Sequence, residues 1–136
     1  MSMSITTYCE AVLKAPIGNQ YDWFTENETE FFWLGWDKNV DLKSKKALML
    51  KMGWMDTKDP NKIENRKKRT EKFREKIKAA LDADKKIYFV RRVRDGEDKN
   101  GVAKSKPLTR STRIFELEKI EFEPETVIGD IVAVRN

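Results

Sequence analysis

The chain has 136 residues, 39% hydrophobic and 38% charged, with 28 Lys and Arg against 23 Asp and Glu. That length suits one domain and is short for two, and seven Phe, four Trp and three Tyr argue against a disordered chain. Histidine is absent, which removes the commonest general base and metal ligand; a single Cys rules out an internal disulfide framework; and no apolar run approaches the ~20 residues of a membrane helix.

The opening MSMSITTYCE has no basic stretch followed by an apolar core, so a cytoplasmic protein without leader or membrane partner is expected. The net charge of +5 conceals a block structure. Between Lys43 and Arg113 there are 24 Lys and Arg against 10 Asp and Glu, whereas the rest has 4 against 13. Solvated surfaces normally mix their signs. The segregation implies either a basic face for a polyanion or acidic flanks folded against a basic middle.

In chain order, Ser4 to Lys14 alternates as Ile5, Thr7, Cys9, Ala11 and Leu13 and reads as a strand, although Cys9, Val12 and Leu13 also fit a helical stripe. Pro16 and Gly18 end it. Tyr21 to Trp36 holds seven aromatics in sixteen residues. Thr25 and Glu28 form a capping-box pattern for a short helix ended by Gly35; the alternative is a buried strand from Phe31 to Trp36. Most of these aromatics belong in a core. A base-stacking platform is the functional alternative, opposed by Asp22, Glu26, Glu28 and Glu30, which would repel phosphates.

Asp41 caps a predicted helix from Leu42 to Met52, with Ala47, Leu50 and Trp54 on one stripe and Gly53 as its stop. Asp59 and Pro60 form a start signal for a second helix running to about Leu81. Its apolar stripe is Phe73, Ile77, Ala80 and Leu81. Running back along that face gives Thr70, then Arg66 and Lys67, then Ile63, so the first half has almost no apolar side and carries Arg66, Lys67, Lys68 and Arg69 in succession. Four cations there also oppose the helix macrodipole.

From Lys85 the period changes to two, giving a strand from Ile87 to Arg94 that ends in Arg91, Arg92 and Arg94. Asp95-Gly96 and Asn100-Gly101 are turn dipeptides in a long basic loop, 95–112, with Lys104, Lys106 and Arg110. Arg113 to Glu123 is a strand whose parity changes: Phe115 and Leu117 share one face, and Ile120 and Phe122 join them only through a β-bulge near Glu118-Lys119. Thr126 to Val134, apolar on both faces, reads as a central strand with a kink or bulge at Gly129-Asp130. The expected fold is α+β in a single domain, 1–136. Its parts are an aromatic and acidic section (1–60), a basic helix (61–84) and a β-rich section (85–136). Central helices pack on a C-terminal antiparallel sheet of three strands, which an N-terminal strand can join.

No catalytic set, nucleotide glycine motif, metal site or cofactor is expected; the enzymatic alternative is a metal-dependent nuclease using carboxylates and Lys, with Glu97 to Lys99 and Glu116 to Lys119 as its nearest candidates. The expected function is non-catalytic nucleic-acid binding through phosphates. The candidate residues are Arg66, Lys67, Lys68 and Arg69 on the helix, Arg91, Arg92 and Arg94 on the strand, and Lys104, Lys106, Arg110 and Arg113 on the loop. The alternative is an accessory protein that modulates a larger machine through an acidic surface of that partner. A homodimer pairing basic middle with acidic flanks is a third arrangement.

Overall fold

The computed structural model describes residues 3–16, 23–51, 59–97, 99, 103–124 and 126–135, without the side chains of 62, 66 and 103–105. Gly18, Tyr21, Asp22, Met52, Gly53, Trp54 and the Asn100-Gly101 turn lie outside the described residues. The elements run α1 (Ile5–Ala11), β1 (Phe24–Glu26), β2 (Glu30–Trp36), β3 (Val40–Asp41), β4 (Lys46–Lys51), α2 (Pro60–Asp82), β5 (Lys86–Arg92), β6 (Arg94–Glu97), β7 (Ala103–Ser105), β8 (Ile114–Phe122) and β9 (Thr126–Arg135). Seven strands form one mixed sheet in the order β1-β2-β5-β8-β9-β4-β3, and β6 and β7 form a separate two-stranded ribbon.

The expected three-stranded antiparallel sheet under central helices is therefore wrong. The sheet has seven strands, and β2 and β5 pair in parallel, Phe31 opposite Ile87 and Trp33 opposite Phe89. The pairing explains why both strands are apolar on both faces: a parallel pair inside a sheet is covered twice. Phe31, Trp33, Ile87 and Phe89 face α2, packing with Phe73, Ile77 and Ala80. Phe32, Leu34, Tyr88 and Val90 face the other way, packing with Tyr8, Cys9 and Leu13 of the N-terminal segment. Gly35 is part of this fit, because a side chain there would run into the ring of Phe89.

Three local expectations fail for physical reasons. Ser4 to Lys14 is a helix over Ile5–Ala11: Ser4 caps it by accepting from the Thr7 amide at 3.3 Å, and burying Tyr8, Cys9 and Leu13 outweighs the weak alternation. Thr25 does not cap a helix. It is buried in β1 and its hydroxyl donates to the Ala15 carbonyl at 2.6 Å, while the strand alternative over Phe31 to Trp36 holds as β2. The Leu42–Met52 helix is a turn followed by β4. Asp41 accepts from the amides of Lys43 at 3.0 Å and Ser44 at 3.3 Å, Lys45 takes φ 56°, and the chain then extends. A register shift between Leu48 and Leu50 lets Ala47, Met49 and Leu50 all be buried, and this irregular spacing mimics a helical stripe.

Three other expectations hold. Asp59 caps α2 by accepting from the Asn61 amide at 3.0 Å, with Pro60 at the first helical position. β9 lies inside the sheet between β8 and β4. The β8 bulge is present: the register with β9 shifts between Glu118 and Glu121, Lys119 has φ 51°, and Ile120 and Phe122 pack on the same cluster as Phe115 and Leu117. No described helix is long and apolar enough to cross a membrane.

Burial also sets the chemistry of α1. The Cys9 thiol is pushed up to about 11 by burial, with Arg92 pulling the other way, and the Tyr8 hydroxyl is pushed up to about 12, also chiefly by burial. Raised pKa values mean that folding favours the neutral forms. Their stabilising contribution is complete below the ordinary thiol value and declines as pH rises from about 9 towards 11. Native protein at pH 8 should accordingly leave Cys9 unreactive to a thiol reagent that labels it rapidly in denaturant, and the melting temperature should fall between pH 9 and 11; rapid native labelling would contradict the buried placement.

Candidate nucleic-acid interface

The charged half of α2 is built differently from its packed half. Thr70, Phe73, Ile77 and Ala80 are buried, whereas none of the described side chains from Pro60 to Arg69 is. The helix thus continues nearly three turns beyond its last buried side chain, at 3.6 residues per turn. Lys67, Lys68 and Arg69 are exposed there, and Arg66 lies on the same turn. Residues 60–70 hold five Lys and Arg against one Glu. The expected opposition to the macrodipole is small, because 66–69 begin beyond the first turn from Pro60 and the dipole effect decays within it. What remains is repulsion between like charges at helical spacings, a few tenths of a kcal/mol per pair.

Arg69 is placed by aromatic rings. Its guanidinium carbon sits 5.8 Å from the centre of Trp23 and 5.4 Å from that of Phe73. Trp23 in turn lies 6.2 Å from Trp33 and 6.5 Å from Phe73. Further along the helix, Arg74 and Lys78 lie over Phe122 at 5.4 and 5.3 Å, and Arg74 donates to the Glu123 carbonyl at 2.6 Å. These stacked cations seat the helix on the sheet through their stems and rings as well as their charge.

The strand and loop residues gather at another place, the end of the sheet where β5 leaves it. The Arg91 amide donates to the Arg113 carbonyl at 3.0 Å, and the Lys106 amide to the Val93 carbonyl at 2.8 Å. The loop 95–112 is therefore not one open arm: β6 and β7 make a ribbon within it. Lys106, Arg110 and Arg113 are exposed there, and Lys104 lies on β7. The three strand arginines have different surroundings. Arg91 pairs with Asp37 at 3.2 Å and Arg94 with Glu97 at 2.6 Å. Arg92 is half-buried and stacks on Trp36 at 4.6 Å, its Nε buried without a hydrogen-bond partner, and burial lowers its affinity for its proton. Both ion pairs are at least partly solvent-exposed and individually weak, so a phosphate can replace the carboxylate; Arg92 is fixed by packing.

Two features escaped the sequence reading. Asp37 sits far from Arg91 in the chain, and only the β2–β5 pairing joins them. Trp23 was one aromatic among seven, yet it is 37% exposed while Phe31, Phe32 and Trp33 are each at 0%. Its position just before β1, rather than inside a strand, was the available signal. Among the described residues, no group of three or more His, Cys, Asp or Glu could hold a metal ion. No family model, curated protein or solved structure matches the chain.

Proposed function

We propose that the chain is a non-catalytic nucleic-acid-binding protein whose principal contact surface is the first half of α2. The observation that carries this reading is the exposed run of Lys67, Lys68 and Arg69 on a helical stretch with no buried side chain among those described. Core packing does not determine the choice of Lys67 and Lys68, and like charges at helical spacings cost the helix stability, a cost that an external polyanion offsets. Lys106, Arg110 and Arg113, exposed at the end of the sheet, form a second positive group for a longer ligand. Phosphate contact of this kind supplies affinity with little sequence preference.

The test is fluorescence anisotropy at ~50 mM salt with labelled duplex DNA, single-stranded DNA and structured RNA. Binding to at least one, weakening steadily as salt is added, is the expected result. Absence of binding to all three overturns the reading. A partner that is captured from lysate and survives nuclease treatment would then favour docking on an acidic protein surface.

A further inference from the structure

Among the described residues, Trp23 is the exposed large aromatic side chain, and it lies beside the basic half of α2. At 37% exposure it forfeits burial that the neighbouring Trp33, at 0%, obtains in full. It is nonetheless held in place: Trp33 and Phe73 lie against it at 6.2 and 6.5 Å, tilted by 49° and 33°, and Arg69 is 5.8 Å from its centre. Its main chain is fixed as well, since the Trp23 carbonyl accepts from the Leu34 amide at 2.8 Å. A ring so supported loses little conformational freedom when another flat group stacks on it.

Among the described residues, its charge environment suits a nucleotide. Lys67 and Lys68 are exposed on the helical turn that ends in Arg69. Two of the acids expected to repel phosphates are neutralised within the fold: Glu26 pairs with Lys85, and Glu30 with Arg135 at 2.5 Å. Glu28 lies in the turn after β1, at the opposite end of that strand from Trp23.

We propose that Trp23 is a stacking platform for an unpaired base, and that the ligand of the α2 surface is single-stranded nucleic acid. The inference rests on the nucleic-acid reading above and narrows it. A base on the exposed part of the indole leaves its flanking phosphates to Lys67, Lys68 and Arg69, whereas a duplex presents no unstacked base to the ring. Stacking serves DNA and RNA alike because every base has a π-face.

The test measures anisotropy of labelled single-stranded DNA, single-stranded RNA and duplex DNA with the intact chain and with Trp23→Leu and Trp23→Phe. Trp23→Leu should weaken single-strand binding about 5- to 150-fold. It should leave the salt slope and duplex binding unchanged, while Trp23→Phe restores most of the loss. A melting curve on each variant identifies loss of fold, and Trp23→Phe, which keeps a ring against Trp33 and Phe73, decides the matter if Trp23→Leu is unstable. Equal single-strand affinity in all three proteins, or preference of the intact chain for duplex, overturns this inference and leaves the broader one standing. No binding by the intact chain overturns both.

Discussion

Gly35→Ala should lower stability by ~3 kcal/mol, at the upper end of overpacking costs. For a chain of this size that is a fall of roughly 10 °C in melting temperature. A Cβ at Gly35 would come within 3.0 Å of three atoms of the Phe89 ring. Phe89 is at 0% exposure, between Trp33 on β2 and Phe115 on β8, so its ring has no space to retreat into. The cause can be isolated by a double-mutant cycle. In a Phe89→Leu background, Gly35→Ala should cost less than ~1 kcal/mol, because the colliding atoms are gone. An equal cost in both backgrounds would mean that backbone conformation, not the ring, requires glycine there.

Replacing Arg66, Lys67, Lys68 and Arg69 together by Gln should weaken single-strand binding at ~50 mM salt by roughly 10²- to 10³-fold. More diagnostic is the slope of log affinity against log salt, which reports the number of phosphates neutralised. Each contact contributes about 0.7 for a single strand, so four lost contacts reduce the slope by roughly 3. The corresponding change for Lys106, Arg110 and Arg113 should be smaller, since that group lies at the other site and engages only a longer ligand. If the α2 variant lost affinity with its slope intact, the cations would be acting on protein conformation and not on phosphates.

The parts of this fold that local chemistry writes into the chain were legible. α2 announces itself through Asp59, Pro60 and the stripe of Phe73, Ile77 and Ala80. The β8 bulge was legible because Phe115 and Leu117 can share a face with Ile120 and Phe122 in no other way. The sheet's breadth was not. Phe31 and Ile87 are more than fifty residues apart and pair in parallel, and no local signal states which strands become neighbours. β4 was obscured by its own bulge, which gave Ala47 and Leu50 a helical spacing. The candidate surface divides in the same way. The density of cations on 66–69 is a property of sequence, whereas the pairing of Arg91 with Asp37 and the stacking of Arg92 on Trp36 follow from topology. Charge counts alone placed eleven residues on an equal footing; the structure shows Lys67, Lys68 and Arg69 exposed on α2 and Arg92 half-buried against Trp36.

The most direct measurement of the central claim, that the basic run of α2 serves a partner and not the fold, is the melting temperature of the isolated protein with Arg66, Lys67 and Lys68 replaced by Gln and Arg69, which stacks on Trp23 and Phe73, retained. An unchanged or higher melting temperature is the predicted result, because no described side chain of α2 before Thr70 is buried and the change removes repulsion between like charges. A fall of several degrees would contradict the account and assign those three charges to holding the fold together.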